Sequence, residues 1–191
     1  MQIRGKWVIL TVMGISVAAA LFAVWFNHRL THRTTAAFRP DVIRLIAREN
    51  KVELLELDGF GERGGGDDSS PETAQTVTVH GKRLRIVSVR DISEAAGLIH
   101  ARYALRQDAS FDWAASAGDR ISSAEFVPSW DYALRFSDGH GRALLIVDTL
   151  GGLLHVEPIG ADVVMSEKLR GGLRIYIDEQ LGNGNNDPNA Q

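Results

Sequence analysis

The chain has 191 residues, a length that fits one domain plus an anchor. It has no cysteine, which excludes disulfide bonds, thiol nucleophiles and zinc sites built on thiolates. Residues 1–39 hold five basic and no acidic residues, while the remainder holds 16 basic and all 24 acidic ones, a net charge of −8. Because nucleic-acid phosphates must be neutralised by Lys and Arg, an acidic domain argues against a nucleic-acid partner.

An uncharged apolar segment lies near the N-terminus, from Trp7 to Phe26: WVILTVMGISVAAALFAVWF. As a helix it would span roughly 30 Å, the thickness of a bilayer's hydrocarbon core. Trp7 and Trp25 sit at its two ends, and arginine or lysine flanks both sides, as is typical of membrane interfaces. The sequence therefore predicts a basic head (1–6), a transmembrane helix (7–26) that binds the lipid bilayer, and a juxtamembrane segment (27–39).

Two alternatives to this anchor are a buried core helix and a cleaved signal peptide. A buried core helix is disfavoured by twenty uncharged residues between basic flanks. A signal peptide cleaved after the Ala18–Ala20 run would leave Leu21 and other apolar residues at the new terminus, a poor start for a soluble protein. Basic residues on both sides leave orientation open, although the short basic head resembles a signal anchor and favours an extracytoplasmic domain. Gly14 and Ala18 form a small-xxx-small pair, for which helix dimerisation is the minority interpretation.

The predicted soluble domain covers residues 40–181. Pro40–Glu49 has a proline suited to a first helical turn and a short apolar stripe, which indicates a helix. Val52–Leu57 is typical of a strand. Residues 59–73 form a flexible Gly-rich loop, which includes a literal G-x-G-x-x-G. A dinucleotide site needs a helix to begin there, but further glycine, two aspartates and a proline follow, so no cofactor is expected.

A β-hairpin is the next element, with Gln75–His80 and Arg83–Val89 on either side of Gly81-Lys82. Glycine at the first turn position favours a type II′ turn, which would pair Val79 with Leu84. This register leaves His80 as a surface residue beside the turn rather than a ligand.

A helix is predicted over Ile92–Arg106. Asp91 and Glu94 have the spacing of a capping box, and Ile99 and Tyr103 belong to its apolar stripe. Residues 107–124 look like a loop, with Phe111 and Trp113 inserted into the core.

Alternation then predicts three strands, Trp130–Ser137, Arg142–Leu150 and Leu153–Glu157. A final helix is predicted over Val163–Leu181, before a disordered tail at 182–191. The fold class is therefore α+β: a transmembrane helix followed by one small domain, with an antiparallel sheet built from hairpins and two or three packed helices.

The run WDYALRFSDGHGRALLIVDTLGGLLHVE and the helix after it resemble a group of small uncharacterised bacterial α+β proteins over residues 130–180. In that group the apolar strand often ends in cysteines, whereas here it ends Val147-Asp148-Thr149. The resemblance implies a similar small domain and no activity.

One row of polar residues is the candidate site. A two-residue turn at Gly151-Gly152 would place Asp148 opposite His155, and pairing of Ser137 with Arg142 would place Asp131 opposite Asp148. Two carboxylates and an imidazole can share a proton or hold a hard cation, or they can form an ordinary solvated cross-strand row. A neighbouring aspartate also predicts a raised pKa for His155.

The sequence contains no nucleophile elbow, HExxH or phosphate loop. The leading hypothesis is therefore a non-catalytic, membrane-tethered interaction or assembly module with a protein partner and no metal. The alternatives are a small membrane-anchored hydrolase or metal-dependent enzyme that uses Asp131, Asp148 and His155, and a ligand sensor whose Gly-rich loop orders on binding.

Overall fold

The computed structural model describes residues 3–48, 51–59, 75–116 and 128–182. Within these ranges the protein is α+β, as predicted, with one seven-stranded antiparallel sheet. The helices are α1 (Ile3–Ala47), α2 (Leu98–Ala104), α3 (Trp113–Ser116) and α4 (Glu167–Gly182). The strands are β1 (Lys51–Gly59), β2 (Thr76–Val79), β3 (Lys82–Asp91), β4 (Tyr132–Ser137), β5 (Arg142–Asp148), β6 (Leu153–Glu157) and β7 (Ala161–Val164).

Helix α1 contains the predicted apolar segment. It is the one described helix that is long and apolar enough to cross a membrane. The large apolar side chains between Trp7 and Phe26 are 48–70% exposed, so the domain does not cover them. Helical geometry is interrupted only at Arg39, with φ 62° and ψ 149°. Pro40 follows, and a proline disfavours helical geometry in the residue before it.

The second half of α1 packs onto the domain. The Asp108 carboxylate accepts hydrogen bonds from the N–H groups of Arg33 and Thr34, at 3.0 and 2.8 Å, and from the Thr34 hydroxyl at 2.8 Å. The Phe38 and Phe111 rings meet edge to face with centroids 5.2 Å apart. Both phenylalanines are buried, and so is Thr34. The apolar helix is therefore joined to the domain by specific contacts, without a flexible linker between them.

The sheet curls on itself. Its strand order is β2-β3-β1-β4-β5-β6-β7, so β2 and β7 are separated by six inter-strand spacings, about 29 Å in a flat sheet. Nevertheless, His80 at the end of β2 lies 2.9 Å from Asp162 on β7, measured from Nε2 to Oδ2. The two ends of the sheet consequently meet across its inner face.

Each face of the sheet has its own apolar core. The outer face is covered by α1, α2 and α4, whose buried side chains include Phe38, Leu98 and Leu173. The inner face is filled by the sheet's own side chains and Trp130, without a contribution from those helices: Leu55, Leu57, Val79, Leu84, Ala133, Ile146 and Leu153. The alternation predicted for the strands is confirmed, but Trp130 faces inward, away from Phe136.

Helix α2 is shorter than predicted. Asp91 ends β3, and its carboxylate accepts the Ser93 N–H at 2.9 Å, so it does not cap a helix. The helix begins only after Gly97, and its buried face includes Leu98. Ile99 and Tyr103 are 74% and 61% exposed, which corrects the prediction that they pack on the sheet. Ile99 and Tyr103 do lie on one side of α2, but that side faces solvent rather than the sheet.

The predicted last helix also begins too early, because Val163 belongs to β7 and α4 starts at Glu167. Ser166 caps α4, since its hydroxyl accepts the Leu169 N–H at 3.2 Å. The outer edge of β7 is covered as well: the Val164 carbonyl accepts the Asp112 N–H at 2.8 Å, and the Val164 N–H donates to the Ser116 hydroxyl at 2.8 Å.

The registers predicted for the two hairpins are each wrong by two residues. Val77, not Val79, lies opposite Leu84, because the turn is His80-Gly81, with both residues at positive φ. Leu153, not His155, lies opposite Asp148 across a four-residue connection. A shift of two keeps every side chain on its predicted face while changing its partner.

Three other predicted segments lie partly outside the residues that the structure describes. Residues 60–73 of the Gly-rich loop, 117–124 of the predicted loop at 107–124 and 183–191 of the tail lie outside the described residues. The predicted loop at 107–124 contains a 3₁₀ turn (Asp108–Ser110) and α3, and Phe111 enters the core as expected.

A partly buried ion pair on the inner face, between Arg135 and Glu53, gives a pH-dependent prediction. Arg135 Nε donates to Glu53 Oε2 at 2.6 Å, and this bond holds the pKa of Glu53 below its usual value of 4.5 despite burial. A lowered carboxylate pKa stabilises the fold above the unfolded pKa, and the contribution is lost as pH falls through the folded pKa. We expect Glu53→Gln to lower the free energy of unfolding at neutral pH by about 2 kcal/mol.

The check is urea unfolding of the parent and variant across a pH series. The difference between them should shrink at pH values below 4.5. Glu179→Gln, an exposed glutamate on α4, is the control and should show no such difference. A pH-independent difference for Glu53→Gln would contradict the ion-pair explanation.

Candidate metal centre

The three residues of the predicted row do not come together as one row. The assumed pairing of Ser137 with Arg142 is confirmed. Asp131 lies one residue before β4 and is close enough to Asp148 to raise its pKa. His155, however, lies opposite Ile146 on one side and Asp162 on the other, two residues away from the predicted partner.

Asp131 and Asp148 are engaged in the turns at the end of the sheet. Asp148 is buried and accepts the N–H groups of Leu150 and Gly151 at 3.0 and 2.7 Å, which shapes the β5–β6 connection. Burial raises the pKa of Asp148, against the lowering effect of these hydrogen bonds. Asp131 accepts the Thr149 hydroxyl at 3.1 Å. Asp131 and Asp148 thus have contacts typical of a structural role in the turns.

His155 belongs to a different cluster, at the place where the sheet closes. Its Nδ1 lies 2.6 Å from Asp162 Oδ1, and its Nε2 lies 3.2 Å from Glu157 Oε1. Asp162 Oδ2 lies 2.9 Å from His80 Nε2, so one carboxylate joins two imidazoles. Potential ligand atoms of His80, His155 and Asp162 all lie within 4.8 Å of one another.

The cluster is partly enclosed. His155 is buried and Asp162 nearly so, while about half of the His80 side chain is exposed. The Trp130 ring packs against both imidazoles, with centroids 6.1 Å from His155 and 6.4 Å from His80. The rings therefore have restricted orientations, with an approach from solvent on the His80 side.

Charge coupling within the cluster shifts two pKa values in opposite directions. Burial lowers the pKa of His155, but the hydrogen bonds that the imidazole makes to the Asp162 and Glu157 carboxylates outweigh it, and the net shift is upward. Burial raises the pKa of Asp162, and the two histidines reverse this, so that its pKa is lowered. The predicted direction for His155 is confirmed, but the carboxylates that cause it are Asp162 and Glu157 rather than Asp148.

The sequence pattern did not indicate the other two residues of the cluster, His80 and Asp162. His80 was assigned to the surface because the turn was placed one residue too late, and Asp162 lay in no predicted strand. Their approach depends on the curl of the whole sheet, for which local periodicity gives no signal. A signal for the turn did exist: His80-Gly81 has a glycine at its second position, which suits a type I′ turn.

A separate cleft of about 240 Å³ lies between α4 and the end of the sheet. Its lining includes Asp131, Arg174 and Asp178, and it does not include His155. It therefore does not supply the histidine-containing cleft that a hydrolase built on the predicted row would need.

Neither a family model, nor a curated protein, nor a solved structure matches the chain.

Proposed function

We propose that the chain is a single-pass membrane protein whose α+β domain is a non-catalytic interaction or assembly module, held rigidly at the membrane surface. The observation that carries this proposal is the junction between Asp108 and Thr34. It joins the domain directly to the helix that would lie in the bilayer.

The apolar half of α1 supports the membrane part of the proposal. Its side chains from Trp7 to Phe26 are exposed to solvent, a costly arrangement unless lipid or another apolar surface covers them. The Arg29 guanidinium lies over the Trp25 ring, 5.6 Å from its centroid, as suits the polar edge of a bilayer.

The distance from the membrane follows from helix geometry. Thr34 lies eight residues beyond Phe26, which is about 12 Å along the helix axis. Headgroup layers occupy roughly 5–8 Å on each side of the hydrocarbon core. The domain would therefore begin at the outer edge of the headgroups, with its orientation fixed by α1.

The exposed apolar side chains of α2 are the proposed contact surface for a protein partner. Ile99 and Tyr103 are four residues apart and thus lie on one side of the helix. Paired apolar anchors on an exposed helix face are a common mode of helix recognition. Neither residue takes part in the core, so they are free to pack against another chain.

Pulsed EPR on the full chain in lipid nanodiscs tests the rigid junction. The chain has no cysteine, so Asn27→Cys and Lys168→Cys accept spin labels without other changes. We expect a narrow distance distribution in the parent chain. Asp108→Ala should broaden it, because the N–H groups and hydroxyl of the junction lose their acceptor.

The matched control is Asp112→Ala. Its carboxylate lies four residues away and accepts the Ala115 N–H at 3.0 Å, outside the junction. This variant should keep the narrow distribution. A broad distribution in the parent chain, or no change in Asp108→Ala, would overturn the rigid junction.

A further inference from the structure

Two imidazoles and one carboxylate meet where the curled sheet closes, and their nitrogen and oxygen atoms face one another. We propose that His80, His155 and Asp162 bind one divalent transition-metal ion of the zinc class, which links the two ends of the sheet. The three potential ligand atoms already lie within 4.8 Å of one another. Nothing in this proposal depends on the membrane anchor.

The donor set selects the class of metal. Zinc in proteins is held by imidazole nitrogens and carboxylate oxygens at about 2.0–2.2 Å, usually with four ligands. A chain without cysteine has no thiolate, the donor that favours copper(I). Two imidazoles are poorly matched to magnesium or calcium, which prefer oxygen donors. A divalent transition-metal ion that binds imidazole nitrogen is therefore the expected occupant, and zinc is the one used in the test.

The hydrogen bonds within the cluster have the arrangement that a metal ion would replace. Asp162 now joins His155 Nδ1 and His80 Nε2 through protons, at 2.6 and 2.9 Å. A metal ion among the same atoms would take the place of those protons. Because ligand atoms must contract to within bonding distance of one ion, His80 has to move; its half-exposed position in a turn allows this.

Glu157 supplies the outer carboxylate that histidine ligands usually have. It lies 3.2 Å from His155 Nε2, on the ring nitrogen that Asp162 does not contact. By accepting a hydrogen bond from the Nε2–H group, Glu157 would keep the proton on Nε2 and leave the lone pair of Nδ1 directed at the metal. This carboxylate–histidine–metal arrangement is a common feature of zinc sites, and its loss typically weakens binding 10- to 100-fold.

Three ligands leave a fourth position, on the side where His80 is exposed to solvent. Water would fill it. The ligands come from the β2–β3 turn, β6 and β7, so binding would fasten distant parts of the chain together. Since the unfolded chain lacks this arrangement, zinc should stabilise the folded protein.

The test is zinc binding to the full chain in detergent, without a histidine tag and after treatment with a chelator. The rings of His28 and His32 on α1 meet edge to face with centroids 5.2 Å apart, and two imidazoles this close can bind zinc adventitiously. Both are therefore changed to glutamine in every sample. Bound zinc is counted by equilibrium dialysis, and the melting temperature is measured with and without zinc.

We expect one zinc ion per chain and a higher melting temperature with zinc. His80→Asn should lose stoichiometric binding while keeping the positive-φ turn, which asparagine tolerates. Asp162→Asn should lose it as well. Glu157→Gln should weaken the affinity about 10- to 100-fold. His140→Asn, at an exposed turn histidine, is the matched control and should bind like the parent.

Cobalt(II) gives a second readout, since four-coordinate cobalt has intense visible absorption that should disappear in His80→Asn. Far-UV circular dichroism shows which variants are folded. His80 lies in the β2–β3 turn and Asp162 lies on β7, so one misfolded variant leaves the other informative. Absence of stoichiometric zinc in the parent, or equal binding by a folded His80→Asn or Asp162→Asn, would overturn the proposal and leave a purely hydrogen-bonded cluster.

Discussion

Replacing Phe38 by alanine should lower the free energy of unfolding of the domain by about 3–5 kcal/mol. Phe38 is fully buried between α1 and the outer face of the sheet, where its ring meets Phe111 edge to face. Its removal leaves a cavity in the outer core and removes an aromatic pair. Urea unfolding of the full chain in detergent, followed by far-UV circular dichroism, measures the loss.

Phe22→Ala is the matched control, because Phe22 lies on the same helix and is 61% exposed. It should leave the urea midpoint of the domain nearly unchanged. If Phe38→Ala also costs less than about 1 kcal/mol, the second half of α1 does not pack on the domain as described.

Removing residues 1–29 should move the protein from the membrane fraction to the soluble fraction and leave the domain folded. Twenty apolar residues insert into a bilayer rather than adsorb to it, so the full chain should resist carbonate extraction. A chain that begins at Leu30 retains Thr34 and Phe38, and with them the junction to Asp108. Fractionation and circular dichroism provide the two readouts.

A chain that begins at Arg39 is the comparison for stability. It lacks the same apolar segment but also loses Thr34 and Phe38, so it should unfold at lower urea than the chain that begins at Leu30. Recovery of the full chain in the carbonate supernatant would contradict the anchor. A mature terminus at Leu21 would replace it with a cleaved signal peptide.

Much of the fold could be predicted because the alternation of apolar residues shows which side chains share a face of the sheet, even where the predicted strand register is wrong by two residues. Val79 and Leu84 were predicted to share one face of the sheet, and both are buried in the inner core although they are not paired with each other. The pairing register of a hairpin depends on the geometry of its turn, and hydrogen bonds from side chains can determine that geometry. At the β5–β6 connection, the buried Asp148 carboxylate binds two backbone N–H groups and stabilises a longer turn than Gly151-Gly152 suggested.

Long-range geometry accounts for what could not be predicted. Ile99 and Tyr103 have helical spacing, but the choice of buried face depends on which neighbours α2 meets. The contact of His80 with Asp162 spans 82 positions in the sequence and needs the accumulated curl of seven strands. The sequence indicates His155 as a candidate site residue, but it does not indicate that His80 and Asp162 lie beside it.

The covered edge of β7 restricts how another protein can bind this domain. Segment 110–116 occupies the backbone groups of Val164, so an incoming extended peptide finds no free donors and acceptors at that residue. The opposite edge strand, β2, is only four residues long, and short edges are poor templates for strand addition. β-Augmentation, amyloid-like stacking and strand exchange between copies are thereby disfavoured, so side-chain contacts are the favoured mode of binding for the proposed partner.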